Sequence, residues 1–112
     1  MTMRYPKNYG IPDEDLQRIR KRDQDCVYCR KHMPPRTGSS RLGMPTIEHM
    51  STVEDGVRDP MGTVAICCHS CNASRKPPHE RWFQTRYCRE RNINFDTVAE
   101  PVQDFLTRPL AA

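Results

Sequence analysis

Large apolar side chains are scarce in this sequence. Leu, Ile, Val and Phe together fill 18 of its 112 positions, and there is a single Trp. That share lies below the ~20% under which a chain struggles to fold on apolar burial alone. No run approaches the ~20 apolar residues of a membrane-spanning helix, and the opening stretch MTMRYPKNYGIPDEDL has no apolar signal core. Neither export nor membrane insertion is therefore expected, and the chain reads as cytoplasmic. Internal repeats and low-complexity tracts are also missing, so 112 residues point to one domain with one main site.

What the chain has instead is cysteine. Cys26, Cys29, Cys67, Cys68, Cys71 and Cys88 suffice for a disulfide framework or for a metal clip. A cytoplasmic chain keeps its thiols reduced, which favours metal; a secreted disulfide protein is the weaker alternative. Cys26 and Cys29 form one CxxC and Cys68 and Cys71 another, with 38 residues (30 to 67) between the pairs. A two-residue gap lets both thiolates of a knuckle bind one ion, and two knuckles complete a tetrahedron. The expected ion is one Zn2+ per chain. Four thiolates leave it no open position for water, so its task is structural, replacing the missing core. Cys67 competes with Cys68 for the ion, but neighbours on an extended strand face opposite sides, and Cys68 repeats the gap of the first knuckle. Cys88 has no partner and reads as a small packing residue on a helix.

The formal charge is +4, unevenly spread: residues 18 to 31 and 73 to 91 carry six basic side chains each. Such clusters suit a polyphosphate partner, although a solvated helix face is the blander explanation. Residues 1 to 12 read as a loose arm, residues 13 to 91 as the main domain and residues 92 to 112 as a helical extension carrying Val98, Val102, Phe105 and Leu106 as a stripe. Asp13 is expected to cap a helix that ends near Asp25 and is acidic at its start and basic at its end. Three prolines and two glycines between 33 and 45 mark a surface loop. TIEH and TVAIC are the useful β-branched runs and pair as a two-stranded antiparallel hairpin, joined by the acidic stretch 50 to 62. A helix follows from His69 toward Arg75, and 79 to 92 reads as a further helical segment with Trp82, Phe83 and Tyr87 on one face. The fold class is thus α+β, a small domain stapled by metal.

CVYC, TIEHM and TVAICCHSCNASRK together resemble the pattern of the HNH endonucleases over roughly residues 18 to 80. The resemblance implies a ββα-metal (His-Me finger) domain that hydrolyses DNA phosphodiester bonds, by nicking or double-strand cleavage, with one divalent cation, Mg2+ or Mn2+. His49 matches the general base, Glu48 a carboxylate ligand of the cation, and Asn72 a further ligand. At the family's middle Asn, which orients the base, this chain has Thr63. An imidazole with an ordinary pKa near ~6.5 can take a proton from water near neutrality. Period-2 alternation sends Glu48 and His49 to opposite faces of an ideal strand, so both serve one site only if the strand bends or ends there. Arg75 and Lys76 follow Asn72 by about one helical turn and are expected to meet phosphate, with Arg81 extending the track. Trp82 reads as a core anchor in preference to a base-stacking platform. His32, His69 and His79 are given no catalytic role.

DNA is the expected partner, and a double-strand cut would be served by a homodimer or by a larger nucleoprotein assembly. The competing expectation is a non-catalytic zinc-ribbon module that binds nucleic acid, with Thr63 as its sign of decay.

Overall fold

The computed structural model describes residues 7–34 and 42–108. The first half of the expected N-terminal arm and the centre of the 33 to 45 loop lie outside the described residues.

A short 3-10 turn, Lys7–Gly10, precedes helix α1 (Asp13–Arg22), which carries three acidic residues in its first turn and three basic ones in its last. Asp13 does not cap it: Pro12 holds the cap position, and its fixed φ suits a helix entry. Leu16 and Ile19 are the buried stripe. The helix stops at Arg22, and the buried Asp23 just beyond accepts from Ile66 N at 3.0 Å, tying the helix end to the hairpin.

Strands β1 (Pro45–His49) and β2 (Val64–Cys68) form a two-stranded antiparallel sheet in the register Ile47↔Ile66, Glu48↔Ala65 and His49↔Val64. All five residues of β2 are buried, so it reads as a continuous apolar run without alternation. The expected acidic connection is itself helical. Thr52 caps α2 (Val53–Arg58) by accepting from Asp55 N, and Pro60 opens α3 (Pro60–Thr63) in the first turn, where its missing N–H costs nothing. Thr63 therefore closes α3 and does not open β2.

Helix α4 (His69–Ser74) leaves β2 directly, its first turn capped by the Cys68 thiol. The expected helix over 79 to 92 is two, α5 (His79–Phe83) and α6 (Arg86–Glu90), because Thr85 starts a new cap by accepting from Cys88 N. Trp82, 2% exposed, packs edge-on against Tyr28 and lies over Tyr87 with ring centres 6.2 Å apart, while its indole N–H donates to Ser74 Oγ. It is a core anchor. In α7 (Glu100–Thr107) Pro101 sits in the first turn, so it starts that helix. Ala99 N donates to Val27 O at 2.8 Å and pins the C-terminal segment to the first cysteine knuckle. Among the described residues no helix is long and apolar enough to cross a membrane.

Candidate metal centre and hairpin site

The Sγ atoms of Cys26, Cys29, Cys68 and Cys71 all lie within 4.8 Å of one another, and Cys29 and Cys68 are 3.9 Å apart. A tetrahedron with metal–sulfur bonds of ~2.3 Å has edges of roughly 3.8 Å, so the four thiols fit a zinc ion. Backbone bonds make the first knuckle: Cys26 N donates to Lys31 O and Arg30 N to Cys26 O, with Arg30 in the left-handed region at φ 67. Val27 N then donates to Ile66 O, which docks that knuckle on β2. The second knuckle is the junction of β2 with α4, where Tyr87 Oη donates to Cys71 Sγ at 3.3 Å. Cys67 turns away, buried on the other face beside Thr46. Cys88 is buried outside the cluster. The group is closed: four sulfur ligands would complete a metal shell and leave no place for a reacting water.

Glu48 and His49 do face opposite sides of β1. Glu48 is 3% exposed, accepts from the Tyr28 hydroxyl at 2.6 Å, and is ion-paired with Arg75 Nε. Burial pushes its carboxyl above the usual carboxylate range, and the Arg75 guanidinium and Tyr28 hydroxyl oppose that shift. Tyr28 has one proton and gives it to Glu48, so His79 Nε2, 2.9 Å from the Tyr28 oxygen, must be the donor there. His79 is buried, and burial, aided by Arg75, lowers its pKa to about 4. A neutral Nε2–H imidazole, a phenol, a carboxylate and a guanidinium thus form one buried network behind the sheet.

His49 stands in the opposite condition. Among the described residues neither of its ring nitrogens has a hydrogen-bond partner, although both are shielded from solvent. Burial lowers its pKa, so the ring is neutral at neutral pH and offers a lone pair. The Tyr9 ring stands nearly perpendicular to it, with ring centres 4.9 Å apart. On the other side α2 approaches with Gly56: a Cβ there would fall 2.7 Å from His49 Nδ1. The glycine is required for space, since the helix could not otherwise come so close.

Asn72, on α4, points its amide nitrogen at β1, donating to Thr46 Oγ1 at 3.0 Å and Ile47 O at 3.3 Å. Thr63 does not orient His49. Its hydroxyl donates to Asp59 O at 2.7 Å, and its carbonyl accepts from Met50 N, so both groups are used in closing α3 and the hairpin. Arg75 is not on an outer phosphate track either: its side chain is 9% exposed, folded against Glu48, with Nη2 donating to His49 O at 2.8 Å. Lys76 and Arg81 are exposed, as a phosphate-contacting role needs. His32 is an exposed partner of Asp25, and His69 serves through its backbone N–H, which donates to Met44 O.

A scan against protein-family models finds no match, and searches of curated proteins and of solved structures find none. The site therefore has to be read from its own chemistry.

A catalytic Mg2+ or Mn2+ held by Glu48 does not fit this arrangement. The carboxylate already has a guanidinium counter-ion and a hydroxyl donor, and arginine offers a metal no acceptor atom. Three residues that shape the site were given no part in it from the sequence. Tyr28 lies inside CVYC, so the two flanking ligands fix its position and could have flagged it. Gly56 lay in a stretch read as a connection, where a glycine is ordinary and gives no sign of close approach. His79, after the Pro77 and Pro78 pair, had no local signal.

Proposed function

We propose that this protein is a zinc-braced phosphodiester hydrolase acting on DNA, with His49 as the general base. The observation that carries this reading is the His49 imidazole, neutral, shielded and unpaired at both nitrogens among the described residues, at the end of a strand anchored by the cysteine cluster. Burying such a ring unpaired costs stability, and perturbed, unsatisfied groups concentrate where chemistry is done. In the proposed step a water oxygen bonds to phosphorus, its proton passes to a His49 nitrogen, and the P–O bond to the leaving sugar oxygen breaks. That oxygen departs with a proton from solvent. Exposed Lys76 and Arg81, with the +4 formal charge, supply sequence-independent attraction to the backbone.

A second reading, a zinc-braced module that binds nucleic acid without cutting it, draws support from one feature: Glu48 is committed to Arg75 and Tyr28. Conversion of supercoiled plasmid by the zinc-loaded protein separates the two, with magnesium, with manganese and with no added divalent ion, beside His49→Ala. Nicking that disappears in the variant while DNA binding persists supports the hydrolase. Binding without cutting under every condition would move the assignment to the module.

A further inference from the structure

Among the described residues Arg75 is the one arginine paired with Glu48, and its surroundings are unusual for arginine. The side chain is nine-tenths buried, Nε is ion-paired with Glu48, Nη2 donates to the His49 carbonyl, and Nη1 has no partner among the described residues. Three elements converge to hold it: Glu48 comes from β1, Tyr28 from the first cysteine knuckle, and Arg75 from the residue that ends α4. Asn72, one turn earlier, is fastened to β1 through its amide nitrogen. The countercharge that a cation would supply to Glu48 is therefore already there, as a guanidinium.

We infer that Arg75 takes the place of a divalent cation beside Glu48, so that the carboxylate is satisfied by the guanidinium and holds no metal. Guanidinium suits this task, being permanently charged and presenting its donors in a fixed planar fork that matches a carboxylate. Glu48 and Arg75 then serve each other as buried counter-ions, paired through Nε. The absence of a cation site at Glu48 stands apart from whether DNA is cut.

The test is manganese binding to zinc-loaded protein, followed by the loss of the free Mn2+ signal in electron paramagnetic resonance. Wild type is expected to bind no manganese at this site. Arg75→Met, which frees Glu48, should gain one site with affinity at least about tenfold above wild type, and adding Glu48→Gln to that variant should remove it. Arg75→Gln serves the same purpose if the methionine variant fails to retain zinc. One manganese bound per wild-type chain and lost in Glu48→Gln would overturn the inference, as would folded Arg75 variants that gain no site. Because the measurement contains no DNA, a protein that never nicks plasmid can still pass or fail it.

Discussion

Glu48 and His49 are adjacent on β1 and differ in almost every physical respect. The first is saturated, with Tyr28, Arg75 and behind them His79 supplying donors and countercharge. The second is enclosed by Gly56 and the Tyr9 ring and has no hydrogen-bond partner at either ring nitrogen among the described residues. A polar group that is buried and satisfied holds a fold together; one that is buried and unsatisfied is a cost that stability alone does not explain. Strand alternation produces the split, since one residue step turns the side chain from the cysteine-braced interior to the side where α2 passes.

The comparison presumes that the hairpin is held in place, and removing the staple should have the largest effect. Cys71→Ser should lose the metal and unfold the domain, because metal binding free energy is folding free energy in a chain with so small an apolar core. Cys88→Ala, equally buried, should cost about 1 kcal/mol. Zinc content and circular dichroism of the two variants check this, and equal sensitivity would break the cluster assignment.

Next in size is Glu48→Ala. It strands the Arg75 guanidinium and the Tyr28 hydroxyl, and should lower stability by about 3–5 kcal/mol in urea unfolding. The third effect sharpens the same contrast through pH. His79 has a folded pKa of about 4 against an ordinary 6.5, so its neutral form stabilises the fold above 6.5. That contribution is lost as pH falls from 6.5 through 4, up to about 3 kcal/mol in total. Urea unfolding of wild type beside His79→Gln isolates this part: the difference should shift against wild type as pH is lowered within that window, and a constant difference would count against the buried network.

Features set by local chemistry were legible in the sequence. The cysteine cluster follows from two CxxC gaps, and the hairpin from two β-branched runs, both of which depend on residues close in the chain. Cys68 could be preferred over Cys67 because alternation permits only one of the two to face the knuckle. What could not be read was partner choice across the fold. Nothing local says that Glu48 would be met by Tyr28, 20 positions away, or by Arg75, 27 positions on. Arg75 and Lys76 are neighbours of the same charge, and only packing decided that one is buried in the site and the other exposed. Thr63 was read by its alignment with a motif, whereas its hydroxyl was claimed by the carbonyl four residues earlier, at the end of α3. The break at Gln84 and Thr85 had a local signal in the threonine cap, outweighed in the reading by the apolar stripe on either side.

The most direct test of the contrast is the urea unfolding of zinc-loaded His49→Ala beside wild type. If His49 is kept for chemistry and not for the fold, removing a half-buried imidazole whose nitrogens are unpaired should leave stability within about 1 kcal/mol of wild type, or raise it. A loss of more than about 2 kcal/mol would mean that the ring has partners that stabilise the folded state, and would contradict the account.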